Sequence, residues 1–322
     1  MGGPAMRRRT LLAAPALLAA GGALAQGRPI RLVVAYAAGG GSDLMARAVA
    51  LKLGEILGQN IVVENRGGGN GTIGSLAVAQ ARPDGTTLLF ATGSEMSLKP
   101  LLEANLPYDP ARDFDLITLL GITPVCIAVH PSLQVETIQE FIALAKARPG
   151  LINLANSGVG GVMHMTGAYL ALQAGIEVAH VTYRGTGPAV ADAAAGVVNA
   201  VVSGLPPVLA QARDGRLRIL AVSIPQRSAA LPDVPTLAEA GFPGFDMSNT
   251  VGLVAPRGTP PAIIATLNEA GRRAAADTDV RRIFLANGAE PVGSTIAEYA
   301  AFIQGERARY REVVQATGIR ME

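Results

Sequence analysis

Residues 30–47 read IRLVVAYAAGGGSDLMAR, a β-branched run that passes through a loop of small residues into a helical pattern. The run 30–34 predicts a strand, and the pattern that opens at Asp43 predicts a helix reaching about Leu57. Ser42 is placed to cap that helix, and Asp43 lies in its first turn, where the helix dipole favours a negative charge. A strand, a short loop and a helix in this order predict an α/β fold with parallel sheets.

The same plan returns in the second half of the chain. A strand is predicted over 151–155, a second loop of small residues follows at 156–161, and a helix is expected over about 162–173. Two such loops, one in each half, are what a cleft between two α/β lobes requires. Further strands are predicted at 61–64, 87–90, 125–129, 177–183, 197–203, 217–223 and 251–254. Further helices are expected over 73–80 and 296–316, after the capping patterns at 137–140 and 236–239, and from 259–261 onward.

The N-terminus has the pattern of an export signal. Arginines at 7–9 precede an apolar run that ends in Ala23-Leu24-Ala25, which predicts a cleaved signal peptide over residues 1–25. The run is shorter than the roughly 20 apolar residues that span a bilayer, and an N-terminal membrane anchor is the alternative. Cys126 is the only cysteine, so neither a lipid anchor nor an intramolecular disulfide is expected. The remainder is long enough for about two domains.

The composition argues against nucleic acid as a partner. The chain has 27 basic and 25 acidic residues, three of the arginines lie in the predicted signal, and aromatic residues make up 4% with no tryptophan. Nucleic-acid binding needs a basic face and, for single strands, aromatic rings on which bases stack. Neither feature is present in the sequence.

Motifs for catalysis and for metal binding are weak. His130, His164 and His180 have no metal-ligand spacing, and no G-x-S-x-G elbow occurs. Cys126 lies in an apolar run, where a buried and unreactive thiol is expected. We therefore expect no catalytic residue, no metal and no cofactor.

Residues 69–74 form a literal G-x-G-x-x-G. A dinucleotide site would need the first glycine directly after the strand and an acid at the end of the next strand. Here residues 65–68 intervene, and the next strand ends near Phe90-Ala91 without an acid. A loop shaped by its glycines is the preferred interpretation.

The helix N-termini that follow the two small-residue loops offer a site for an anion. Free backbone N–H groups there, with hydroxyls of Ser42, Ser94 or Ser157, can bind an oxyanion without a buried arginine. This favours a compact carboxylate over a sugar, because sugar sites usually stack on aromatic rings and this chain has few. Tight turns without a ligand are the alternative.

The motifs follow an order that resembles one family. The run 34–47 is similar to the first-loop signature of the Bug family, the periplasmic receptors of tripartite tricarboxylate transporters. The resemblance covers nearly all of residues 28–322. It also rests on VENR at 63–66, IG at 73–74, ARPDG at 81–85, NSGVGG at 156–161 with His164, YRGTGPA at 183–189, LPDVPT at 231–236 and APRGTP at 255–260.

The resemblance implies a two-lobed Venus-flytrap of the type II periplasmic binding class, with two crossover segments. Lobe 1 would combine about 28–124 with 224–322, and lobe 2 would be about 125–223. The implied ligand site is a pincer made of Ala38, Gly39, Gly40, Gly41, Ser42 and Asp43 from lobe 1 and Asn156, Ser157, Gly158, Val159, Gly160 and Gly161 from lobe 2. Weaker candidates near the cleft are Thr92, Ser94, Tyr183, Gly185 and Thr186.

The function implied by the resemblance is that of a non-enzymatic periplasmic receptor, expected to be a monomer, that captures a small carboxylate and delivers it to integral-membrane transporter subunits. The alternative is an exported α/β enzyme, either a hydrolase or a nucleotide-dependent oxidoreductase. Such an enzyme would need a nucleophile with its base, or a cofactor-binding acid, inside the cleft.

Overall fold

The computed structural model describes residues 28–183, 185–228 and 230–320. The predicted signal peptide, residues 1–25, lies outside the described residues. Within the described ranges, no helix combines the length and apolarity needed to cross a membrane.

The first sheet has six strands, and it is mixed rather than parallel. Its strands are β1 (Ile30–Val34), β2 (Ile61–Asn65), β3 (Thr87–Thr92), β4 (Phe114–Thr123), β10 (Asn249–Pro256) and β11 (Glu290–Pro291). Their order across the sheet is β11-β4-β10-β3-β1-β2. Strands β1, β2 and β3 run parallel, whereas β10 runs antiparallel to both β3 and β4.

The second sheet has five strands from the middle of the chain. They are β5 (Val125–Val129), β6 (Asn153–Asn156), β7 (Ala179–Thr182), β8 (Ala200–Gly204) and β9 (Arg218–Val222). The order is β7-β6-β8-β5-β9, and β5 is antiparallel to both of its neighbours. The expected parallel pairing is present in both sheets, but each sheet also contains antiparallel strands. In each sheet, the strand that follows a crossing from the other sheet is antiparallel to its neighbours. This strand is β10 in the first sheet and β5 in the second.

Eleven α-helices are assigned among the described residues, and most of them pack on these two sheets. They are α1 (Gly41–Leu57), α2 (Thr72–Ala79), α3 (Lys99–Leu102), α4 (Pro110–Asp113), α5 (Ile138–Ala147), α6 (Val162–Ala174), α7 (Thr186–Ala194), α8 (Leu205–Arg213), α9 (Pro261–Ala276), α10 (Thr278–Ala286) and α11 (Ile296–Thr317). Thr137 caps α5 by accepting a hydrogen bond from the N–H of Glu140 at 3.2 Å. The capping pattern at Thr236 forms both reciprocal hydrogen bonds with Glu239, but the segment is a turn and not a helix.

The chain passes between the two sheets twice. It crosses first from β4 to β5 through Pro124, and it returns over residues 223–248 to β10. The crossings lie side by side, because Ser223 accepts the N–H of Val125 through its hydroxyl oxygen at 3.3 Å and donates to the carbonyl of Met247 at 2.5 Å.

Residues 224–248 pack on the second sheet. The N–H of Leu237 donates to the carbonyl of Val222 in β9 at 2.8 Å, and Val222 also forms a bridge with Thr236. Phe245 and Met247 belong to the same buried cluster as the residues under α6. This segment therefore extends the second lobe before β10 rejoins the first sheet.

Helix α11 contacts both halves of the core. Tyr299 and Ile303, in its first half, pack on the first sheet, whereas Tyr310 and Val313 lie in the cluster shared with α6. The Tyr310 hydroxyl donates to the carbonyl of Ser248 at 2.8 Å. This hydrogen bond joins the last helix to the point where the chain re-enters the first sheet.

Candidate ligand-binding site

The loop before α1 exposes backbone N–H groups. The helix begins at Gly41 after an N-cap at Gly40, which has extended φ/ψ and receives no side-chain hydrogen bond. Ser42 therefore lies inside the first turn, and the expectation that it caps the helix is wrong. The N–H groups of Gly41, Ser42 and Asp43 have no acceptor within the described part of the chain. Because residues 37–41 are exposed, these N–H groups can donate to a ligand.

The Asp43 side chain turns inward and accepts a hydrogen bond from the loop before α1. Its buried carboxylate accepts the N–H of Gly39 at 2.8 Å, the Arg47 side chain at 3.1 Å and the Asn65 amide at 2.9 Å. Burial opposes the charged form, but these hydrogen bonds and the positive charge of Arg47 together hold the pKa of Asp43 below its usual value. The carboxylate is thus engaged by three protein donors.

The loop before α6 repeats this construction with a different side chain. Gly161 is the N-cap, with extended φ/ψ, and the N–H of Gly160 donates to Nδ1 of His164 at 3.1 Å. Burial, and after it the neighbouring His180, lower the pKa of His164 to about 4. The two rings meet edge to face with their centroids 5.1 Å apart. At neutral pH His164 is therefore uncharged, and since Nδ1 accepts, its proton is on Nε2.

A second helix N-terminus lies beside the α6 loop. The N–H of Gly185, the N-cap of α7, donates to the carbonyl of Ser157 at 3.1 Å, and the N–H of Tyr183 donates to the carbonyl of Asn156 at 2.9 Å. Neither α6 nor α7 carries an acidic residue in its first turn. Two positive helix ends therefore meet in this lobe without a compensating side-chain charge.

Three of the weaker candidates have hydroxyl groups that already contact the protein or are buried. The Tyr183 hydroxyl donates to Asp192 at 2.7 Å, and the Thr92 hydroxyl donates to Glu95. Ser94 is buried, and its N–H donates to the Thr92 hydroxyl oxygen at 3.3 Å. The Thr92 and Tyr183 hydroxyls therefore already have acceptors within the protein, whereas Gly185 and Thr186 lie at the α7 N-terminus itself.

Under the first lobe's loops lies a buried carboxyl group that the sequence reading missed. Glu95 accepts hydrogen bonds from the N–H of Thr92 at 3.0 Å and from its hydroxyl, and Tyr36 contacts the same hydroxyl at 3.3 Å. Burial raises the pKa of Glu95 to about 7. The Glu95 carboxyl group therefore gains or loses its proton close to neutral pH.

The glycine loop at 67–71 is also part of the cleft. A Cβ atom on Gly67 would lie 3.4 Å from the Ala37 nitrogen, so the glycine loop packs against the loop before α1. The Asn70 side-chain nitrogen lies 3.7 Å from the position of a Cβ atom on Gly161, which belongs to the other lobe. The expected glycine-shaped loop is present, but its role in joining the two lobes was missed. An asparagine among glycines was the available signal, because asparagine tolerates positive φ.

The approach of Asn70 to Gly161 places the glycine loop of the first lobe next to the predicted α6 loop of the second. The α1 loop and the glycine loop lie on the first lobe, and the α6 loop and the α7 N-terminus lie on the second. Among the described residues, no cluster of three or more His, Cys, Asp or Glu side chains is arranged to hold a metal ion. Cys126 is buried in β5, and burial raises the pKa of its thiol to about 12.

Comparison with known proteins identifies the family. Residues 45–319 match the model described as tripartite tricarboxylate transporter family receptor. The chain belongs to this TctC/Bug family. The resemblance seen in the sequence is therefore confirmed. Because the family is one of receptors that bind solutes, the protein is a solute receptor and not an enzyme.

Individual relatives agree over almost the whole chain. Protein BugT of Bordetella pertussis is 37% identical over 296 residues, which are 92% of this chain and 91% of BugT. A solved R. palustris protein with adipate is 31% identical with a TM-score of 0.85, covering 92% of this chain and 99% of that one. MatC from Rhodopseudomonas palustris, solved with bound malate, is 32% identical with a TM-score of 0.80, covering 90% and 99%. The two α/β lobes of the receptor match these structures.

Proposed function

We propose that the receptor captures a small carboxylate between its lobes in the periplasm and presents it to the integral-membrane subunits of a tripartite tricarboxylate-type transporter. The observation that carries the proposal is the pair of helix N-termini, α6 and α7, that meet in the second lobe without an acidic residue in either first turn. Backbone N–H groups and helix dipoles of this kind favour an anion. The exposed N–H groups before α1 supply further donors from the first lobe.

The relatives support a carboxylate as the ligand class. One was solved with adipate and another with bound malate, and both are dicarboxylates of modest size. In the receptor we assign the anion-binding role to the loops 38–43 and 156–161, with Gly185 and Thr186 beside them. Thr92, Ser94 and Tyr183 are assigned to the support of these loops.

The lobe boundaries are part of the proposal. We propose that the first boundary falls at the first crossing, between Thr123 and Val125. We propose that the second boundary falls at 248/249 rather than 223/224, since residues 224–248 pack on the second sheet. The lobes then move relative to each other about Pro124, Ser248 and the middle of α11.

Calorimetry and thermal unfolding with adipate and malate test the carboxylate proposal, and adipamide is the matched control because it has the length of adipate without its charge. A ligand at about 100 times its Kd should add about 2.7 kcal/mol to the unfolding free energy. Adipamide should leave the unfolding midpoint unchanged. A wider carboxylate panel extends the search if these two acids are not the ligands. Failure of every acid to bind, or chemical turnover of one of them, would contradict the proposal.

The location is tested separately. We expect the exported protein to begin at or near Gln26, to run as a monomer and to appear in the osmotic-shock fluid of the producing cells. Mass spectrometry of the released protein gives its N-terminus. Retention with membranes after a salt wash would favour the N-terminal anchor instead.

A further inference from the structure

The glycine loop, residues 67–71, has a backbone conformation that residues other than glycine rarely adopt. Four successive residues have positive φ, namely Gly68 at 131°, Gly69 at 57°, Asn70 at 48° and Gly71 at 94°. Asn70 and Gln134 are the only residues other than glycine with positive φ among those described. An unfavourable backbone of this kind persists only where the surroundings hold it in place.

Buried groups from the first lobe hold the loop from below. The Lys99 ammonium, itself buried, donates to the carbonyl of Gly69 at 2.6 Å, and the Thr72 hydroxyl donates to the same carbonyl at 2.9 Å. Glu95 packs against Gly71 so closely that a Cβ atom there would lie 2.7 Å from its Cγ. These protein contacts therefore fix the position of Asn70.

The Asn70 side chain presents a donor that the protein does not use. Its Nδ2 atom is buried and has no hydrogen-bond partner among the described residues. The same atom faces Gly161, the N-cap of α6. In the first turn of that helix the N–H groups of Val162, Met163 and His164 also lack an acceptor within the described ranges. Unused donors therefore lie on both lobes next to Gly161, although buried donors are normally paired.

We propose that Asn70 is a specificity-determining residue, which donates from the first lobe to a ligand oxygen atom that also accepts N–H groups of α6 from the second lobe. The inference rests on the proposed function and adds to it a neutral donor across the cleft. One carboxylate oxygen can accept from both directions, because each oxygen has two lone pairs. An amide also lets the lobes close on an anion without burying a second charged side chain.

The decisive variant is N70D, because aspartate has the shape of asparagine, tolerates the same backbone conformation and replaces the donor with a negative charge. N70G removes the amide and keeps the positive φ accessible. N60D is the control, since Asn60 is exposed and lies at the other end of β2. Calorimetry with adipate and malate, and with any panel acid that binds the wild type, should show at least a tenfold loss of affinity for N70D. The loss should be smaller for N70G, and N60D should match the wild type.

A measurement without ligand provides an independent readout. The carboxylate introduced by N70D would lie against the free N–H groups of α6 and act as a tethered anion. The thermal midpoint of ligand-free N70D should therefore rise by about 1–3 °C relative to N60D, and 1 M salt should reduce the rise.

The outcomes separate this inference from the proposed function. N70D that binds acids and unfolds like N60D would overturn the role of Asn70 and leave the carboxylate receptor intact. A wild type that binds no acid would refute the proposed function. In that case the ligand-free midpoint still decides the inference, and equal midpoints for N70D and N60D would overturn it.

Discussion

The loops that precede α1 and α6 have nearly the same backbone but different chemistry. In each, a glycine of positive φ is followed by an N-cap glycine with φ of −78°, namely Gly39-Gly40 in the first lobe and Gly160-Gly161 in the second. In each, the third helical residue reaches back to accept the N–H of the positive-φ glycine. The next residue, Leu44 or Met165, donates its N–H to the N-cap carbonyl at 3.0 Å in both.

The two loops differ in the residue whose side chain accepts the N–H of the positive-φ glycine. Asp43 places a negative charge at the α1 N-terminus, whereas His164 is neutral and leaves the α6 dipole uncompensated. A ligand carboxylate should therefore interact more strongly with the α6 loop, and the α1 loop should contribute N–H groups without the full helix-dipole attraction. The two loops thus share a backbone geometry, but only the α6 loop leaves its helix dipole without a compensating charge.

The largest effect is expected from G160V in the stronger loop. Gly160 is buried and has a φ of 66°, so valine would strain the backbone by about 1–3 kcal/mol and displace the N–H groups before α6. We expect at least a hundredfold loss of carboxylate affinity by calorimetry. Gly150 has a φ of 70°, is exposed and lies outside the cleft loops, so G150V carries similar strain and should keep its affinity. Equal affinity losses in the two variants would assign the effect to general destabilisation.

A second variant makes the two loops chemically alike. H164D keeps an acceptor for the N–H of Gly160 but puts a negative charge at the α6 N-terminus, as Asp43 does in α1. The unfolding free energy should change by no more than about 1 kcal/mol, because the charge suits the helix dipole. Affinity for an anion should fall at least tenfold by calorimetry. Wild-type affinity in H164D would show that the α6 N-terminus is not the anion site.

The corresponding change in the first lobe should act on stability instead. D43N removes one of the two carboxylate oxygens that serve Gly39, Arg47 and Asn65, and leaving a buried donor unpaired costs about 1–3 kcal/mol. Urea unfolding should show this loss, while carboxylate affinity should stay within tenfold of the wild type. A larger affinity loss at unchanged stability would make Asp43 a direct ligand contact.

The remaining effects are on the pH dependence of stability, and they should have opposite signs for a buried group of each lobe. His164 has a folded pKa of about 4 against a reference of 6.5, so its contribution to stability is complete above 6.5 and is lost as the pH falls through 4. Glu95 has a folded pKa of about 7 against 4.5, so its contribution is complete below 4.5 and is lost as the pH rises through 7.

Urea unfolding across pH 4 to 8 separates the two groups. H164N keeps an acceptor without a titrating proton and should flatten the acid side of the stability profile. E95Q should gain stability relative to the wild type at pH 8 and show little difference at pH 5. A profile that neither variant alters would assign the pH dependence to other carboxyl groups, of which Glu306 is the first candidate because burial also raises its pKa to about 7.

Much of the fold could be predicted because its units are local. Strand β1, helix α1 and their counterparts β6 and α6 follow from β-branched runs, small-residue loops and helical periodicity. Strand β4 was missed, since it is a long run with most residues buried and shows little alternation between apolar and polar positions. The antiparallel placement of β10 depends on the path of the chain between lobes, which local patterns do not encode.

The loops of the candidate site could be predicted from the sequence, but their contacts could not. The small-residue loops were recognisable because glycines before a helix indicate exposed N–H groups. The inward turn of Asp43 depends on Asn65, which is distant in sequence. The Thr92 and Tyr183 hydroxyls donate to Glu95 and Asp192, which are near in sequence but which no motif marks as acceptors. Asn70 was passed over because its partner surface, the α6 N-terminus, lies on the other lobe.

The central position of β10 has a consequence for the order in which the chain folds. Residues 249–256 complete the first sheet between β3 and β4, yet they follow the entire second sheet in the chain. During synthesis β3 and β4 therefore each keep an unpaired edge until these residues emerge, and unpaired edges invite wrong pairing. The second sheet is built from consecutive strands and can close during that interval. We expect the middle of the chain to become protease-resistant first, and the N-terminal third to wait for β10.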